Sequence, residues 1–97
     1  MQILESDIER HLVRRVKELG GRAYKFVSPT NRGVADRLIV LPGGRVWFVE
    51  VKKMGGRLSP LQRIFAEEIK ALGCNYAIVW NKEDVDAFVA TVSGTGG

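Results

Sequence analysis

The chain has 97 residues, 45% of them hydrophobic and 27% charged, the balance of one ordinary globular domain with a modest core. Fifteen Lys and Arg against eleven Asp and Glu leave a net charge of +4, which favours a polyanionic partner without proving one. The single Cys74 excludes an internal disulfide, no run approaches a membrane span, and the opening Met1–Glu5 lacks a signal-peptide layout, so the chain reads as cytoplasmic with no membrane partner.

In chain order, a helix is predicted from about Glu5 to Leu19, with Ile8, Leu12, Val16 and Leu19 on one stripe and Gly20-Gly21 as its stop. Glu5 falls in the middle of that stripe at its open end, and Glu9 at the margin. Ser6-Asp7-Ile8-Glu9 also fits a capping box, and acids in a first turn complement the helix dipole, which accounts for Glu9 better than for Glu5. His11 stands among Arg10, Arg14 and Arg15 with no second His or Cys nearby, which argues against a zinc site. Arg22–Ser28 alternates as a strand closing at Pro29, and a polar loop over 28–33 follows. Lys25 and Arg32 flank that loop as candidates for phosphate contacts, with solvated loop charge as the alternative.

Two β-rich runs, 34–41 and 45–52, are joined by a Gly-Gly turn. If Leu41 pairs with Arg45 around a three-residue loop, Asp36 falls opposite Glu50 and Lys52 follows on the same face; a two-residue loop would flip the parity and separate the acids. Adjacent carboxylates repel unless a cation sits between them, and an oxygen-only donor set suits magnesium or manganese. Such an ion, with Lys52 beside it, eases proton loss from a water that attacks phosphorus. The alternative is a set of solvent-facing charges paired with Arg37, Lys52 or Lys53, but the apolar run around Glu50 implies a buried carboxylate in need of a partner.

Residues 52–58 are basic and flexible, and Gly55-Gly56 lacks the Gly-Lys-Ser/Thr of a nucleotide-binding loop, so no nucleotide cofactor is expected. Ser59 as N-cap, Pro60 and Gln62 open a second helix whose predicted buried face is Leu61, Ile64, Phe65, Ile69 and Leu72. Cys74 reads as a buried, inert thiol, and Asn75–Trp80 as an interior strand parallel to its neighbour. A closing helix spans about Lys82 to Ala90, with Glu83, Asp84 and Asp86 complementing its dipole. One domain over 1–90 results, with 91–97 as a flexible tail and an αβββαβα order whose mixed sheet carries helices on its faces.

Gly33-Val34-Ala35-Asp36, then Glu50-Val51-Lys52, then Leu58-Ser59-Pro60-Leu61-Gln62 opening a helix resemble the VRR-NUC branch of the PD-(D/E)XK nuclease superfamily, which includes the nuclease domain of Fanconi-associated nuclease. The resemblance spans about residues 1 to 90; Ala35 stands where many members have Pro, a backbone preset that touches no metal. It implies a restriction-endonuclease-like α/β core and an endodeoxyribonuclease dependent on Mg2+ or Mn2+. Asp36, Glu50, the Val51 carbonyl and Glu5 would hold the ion, Glu9 being the other choice for the helix-borne acid. Lys52 would orient the attacking water, and Gln62 would support the site unless it serves only the cap. Lys25, Arg32, Lys53, Arg57 and Arg63 would hold the DNA backbone. Standalone members resemble junction-resolving enzymes, which implies a homodimer cutting branched, Holliday-junction-like DNA in repair, nucleoid-associated in a bacterial or virus-infected cell. Its dimer patch could include Trp47 or Trp80. A non-catalytic DNA-binding module and a restriction-like nuclease with another nucleic-acid substrate are the rival readings.

Overall fold

A computed structural model describes residues 3–94. The elements run α1 (Glu5–Glu18), β1 (Arg22–Lys25), β2 (Arg37–Leu41), β3 (Arg45–Val51), α2 (Pro60–Ala71), β4 (Asn75–Val79) and α3 (Lys82–Gly94). Turn chemistry sets most of the boundaries. α1 and α2 both end in a glycine in the left-handed region, Gly20 and Gly73 with φ of 83° each. In both, the next residue donates to the carbonyl five back, Gly21 to Val16 at 3.1 Å and Cys74 to Ile69 at 3.0 Å, the double closure of a Schellman motif. At the start of α1 the cap differs from the expected one: Leu4 is the N-cap and its N–H donates to Asp7 Oδ2 at 3.2 Å, leaving Glu9 for other work.

The sheet has the order β1-β2-β3-β4, antiparallel except for the parallel β3–β4 pair made by the α2 crossover. Between β2 and β3 the three-residue register holds, Leu41 pairing with Arg45 and Arg37 with Val49. Gly44 donates to Leu41 O at 3.2 Å. That closes a turn whose third position, Gly43, has φ of 86°, the pattern of a type II turn with Pro42 before it.

Strand alternation sends Trp47 and Phe48 to opposite faces. Trp47 meets Phe88 of α3 at 5.2 Å, whereas Phe48 joins Phe65 of α2 at 5.7 Å and Phe26 at 5.8 Å. One face carries the main core: Ile39, Leu41, Val49, Val51 and Val79 buried under Ile8, Leu12 and Val16 of α1 and Val85, Phe88, Val89 and Val92 of α3. α2 covers the other face alone.

Several expectations are corrected. β4 is parallel as predicted but lies at the sheet edge; its apolar sequence reflects helices on both faces, α2 and α3, rather than strands on both sides. Only Ala66 of α2 is buried, while Leu61, Ile64 and Leu72 are 52%, 49% and 79% exposed, because a lone helix on a narrow face can tuck in only one edge of its stripe. Cys74 is exposed, following the Gly73 closure at the surface. Residues 91–94 of the expected tail continue α3, since Val92 completes the Val85, Phe88, Val89 stripe and is buried; 95–97 lie outside the described residues. β1 ends at Lys25, although Phe26 N–H still donates to Asp36 O at 2.9 Å. Trp47 and Trp80 are half-buried, Trp47 against Phe88, and neither forms an exposed patch.

Candidate active site

Continuing the β2–β3 register by one residue sets Asp36 against Glu50, with Lys52 next along the same face, beneath α2. Asp36 Oδ2 accepts the Val51 N–H at 2.8 Å. Glu50 is 1% exposed, and its Oε2 accepts from Gln62 Nε2 at 2.7 Å and lies 3.9 Å from Lys52 Nζ. Asp36 thus has one oxygen fixed by a donor, while Glu50 is held both by Gln62 Nε2 and by the Asp36 backbone N–H.

Gln62 settles a choice its position in the sequence left open, because the amide serves both purposes. Its Oε1 accepts from the Ser59 N–H at 2.8 Å, its own N–H donates to Ser59 Oγ at 3.1 Å, and the Nε2 is free to hold Glu50. The capping box fixes the side chain that grips the buried acid.

Burial pushes the Glu50 carboxyl up to about 7, with the Asp36 charge adding to it and Lys52 opposing it. Asp36 is raised for the same first reason, held back by the Val51 N–H and pushed further by Glu9 and Glu5. Tyr76, on β4 opposite Phe48, is raised to about 12 by burial and then by the two acids. The cluster carries more negative charge than its protein partners neutralise, and it favours either protons or a cation.

Neither helix-borne acid joins the pair directly. α1 covers the opposite sheet face and reaches this one only around the strand ends, and among the described residues no three His, Cys, Asp or Glu side chains form a ready metal-holding group. Glu9 lines a cavity of about 300 Å3 together with Asp36, Gln62, Lys25 and Arg32, but its Oε2 is taken by Arg37 Nε at 2.6 Å. Glu5 is exposed at the start of α1, without a side-chain hydrogen bond or salt bridge among the described residues, and raises both acids from a distance. Lys53, Arg57 and Arg63 are not among the residues lining that cavity. The Glu9–Arg37 bond has only a partial signal in the sequence: parity turns Arg37 to the face opposite Asp36 but does not say which helix it meets there.

One curated protein, "Putative nuclease p44" of Acyrthosiphon pisum secondary endosymbiont phage 1, is 44% identical over 91 residues, covering 94% of this chain and 97% of that protein. A solved structure titled "VRR_NUC domain" superposes with a TM-score of 0.84 at 30% identity over 88% of this chain and 92% of that one. The chain belongs to the VRR-NUC nuclease family. No family model matches it. The VRR-NUC fold is therefore shown by sequence and by structure together, and it is the αβββαβα core that the motif resemblance implied.

An oxygen-only cation site fits these VRR-NUC residues. Two carboxylates, aimed by the Val51 N–H, the Asp36 N–H and Gln62, are held against their mutual repulsion in a place that raises both their proton affinities.

Proposed function

We propose that the chain is a divalent-metal-dependent endonuclease that hydrolyses phosphodiester bonds in branched DNA and works as a homodimer. The reading rests above all on the β2–β3 register, which brings Asp36, Glu50 and Lys52 onto one face beneath Gln62. In it Asp36, Glu50 and the Val51 carbonyl hold magnesium or manganese, with Glu5 reaching it through water. When bound, the ion supplies Lewis-acid stabilisation of the scissile phosphate and acidifies water.

The chain's own residues do the rest. Gln62 and the Val51 N–H aim the two carboxylates. Lys52 orients the attacking water and offsets negative charge as its oxygen bonds to phosphorus and an ester oxygen departs. Lys25 and Arg32, lining the same cavity as Asp36, grip the phosphate in salt-sensitive fashion with little base readout. A homodimer would set two such sites on opposing strands, and the uncovered apolar face of α2 supports that assembly.

The test compares cleavage of a four-way junction, a flap, a linear duplex and single strands with magnesium, manganese or chelator, for the wild type and Asp36→Ala. Cutting is expected only with metal, fastest on the junction, and absent in the variant. Cutting in chelator or by Asp36→Ala would end the mechanism; equal cutting of every substrate would remove the preference for branches alone.

A further inference from the structure

A cavity of about 720 Å3 lies apart from the one that Asp36 lines. It runs along the outer flank of α1 and is lined by six cations: Arg10, Arg14, Lys17, Lys25, Arg37 and Lys82. Its two acids are already matched, Asp7 by Arg10 and Glu9 by Arg37. Arg14 Nη2 lies 2.9 Å from His11 Nδ1, and since arginine only donates, that nitrogen accepts and His11 Nε2–H donates to Asp86 at 2.8 Å. Arg14 therefore keeps its charge with no acid of its own. Lys17, Lys25 and Lys82 make no side-chain hydrogen bond or salt bridge among the described residues.

The shape suits a chain of phosphates better than a single anion. Arg10, Arg14 and Lys17 are spaced i, i+4, i+7 on one side of the helix, a run of about 10 Å, which matches about three nucleotides of duplex rise. Lys25 and Glu9 line this groove and the smaller cavity beside Asp36 alike, so the two adjoin at these side chains. We propose that the α1 groove is the track along which a DNA strand's backbone is led to Asp36, the phosphate contacts beyond the scissile group coming from Arg14, Lys17 and Lys82 rather than from the 53–63 segment. The inference rests on the nuclease reading for the identity of its ligand.

The test is fluorescence anisotropy of a labelled four-way junction in chelator, where nothing is cut, over a salt series. It uses the full chain as wild type, as Lys17→Gln/Lys82→Gln and as Arg57→Gln/Arg63→Gln. The first double variant is expected to bind several-fold more weakly at low salt and to lose about two from the slope of log Kd against log salt, the value of two phosphate contacts. Lys17→Arg/Lys82→Arg should restore both, which a purely structural role would not require. An unchanged slope in the Lys17/Lys82 variant, or a loss confined to the Arg57/Arg63 variant, overturns the groove; tighter binding of an equal-length RNA duplex overturns DNA as its ligand. Cleavage in magnesium scores the nuclease reading separately. A protein that cuts but ignores Lys17 and Lys82 keeps that reading and loses the groove, and one that binds through them without cutting does the reverse.

Discussion

A carboxylate as deeply placed as Glu50 is stable in its charged form only if a cation balances it. Its pKa rises from an ordinary 4.5 to about 7, so the folded chain holds that proton more tightly than the unfolded one. The associated stability is complete below the unfolded value and is lost as pH climbs through the folded one, a decline of up to about 3 kcal/mol between them. Asp36 shifts in the same direction. In chelator, urea midpoints should therefore fall as pH rises from about 5 to about 8. Glu50→Gln should flatten the profile, exceed the wild type in stability at the alkaline end, and abolish cleavage. Magnesium or manganese should restore alkaline stability to the wild type and not to the variant. A wild-type profile with no slope over that range would show that Glu50 carries no such burden.

Among the elements, the loop between β1 and β2 owes its position to one missing side chain. Gly33 is buried, and a Cβ there would stand 2.3 Å from the Leu61 carbonyl oxygen in the first turn of α2. The obstacle is backbone, so it cannot swing aside as a flexible side chain would. Because this contact fixes α2 against the cavity that Arg32, Asp36 and Gln62 line, Gly33→Ala should cost about 1–3 kcal/mol and lower the cleavage rate together with it. Denaturation and single-turnover cleavage measure the two effects; a variant with wild-type values in both would mean that the loop and α2 move independently. The sequence marked Gly33 as part of a polar loop but offered no sign of the helix it would touch, since that neighbour arrives 28 residues later.

For the whole molecule, two helices share one sheet face and one covers the other, which leaves Leu61 and Ile64 of α2 and Leu72 at its C-cap at the surface. If that face joins two copies, Ile64→Asp/Leu72→Asp should yield a monomer by analytical ultracentrifugation, keep the fold, and uncouple the paired cuts on a junction. A wild type that sediments as a monomer at every concentration would refute the dimer. What the sequence by itself determined is whatever short-range chemistry controls: the glycine closures of α1 and α2, the Ser59–Gln62 cap, and the Pro42-Gly43-Gly44 loop once its length is granted. From these and the alternation of β2 and β3 came the carboxylate pair and the family resemblance. Only the tertiary structure decided which sheet face each helix covers. That choice put α1 across the sheet from Asp36 and Glu50, joined Glu9 to Arg37, left α2 half bare and β4 at an edge, and opened the basic groove. Periodicity specifies that a helix has an apolar side, but the crossovers and the area of sheet available specify what that side meets.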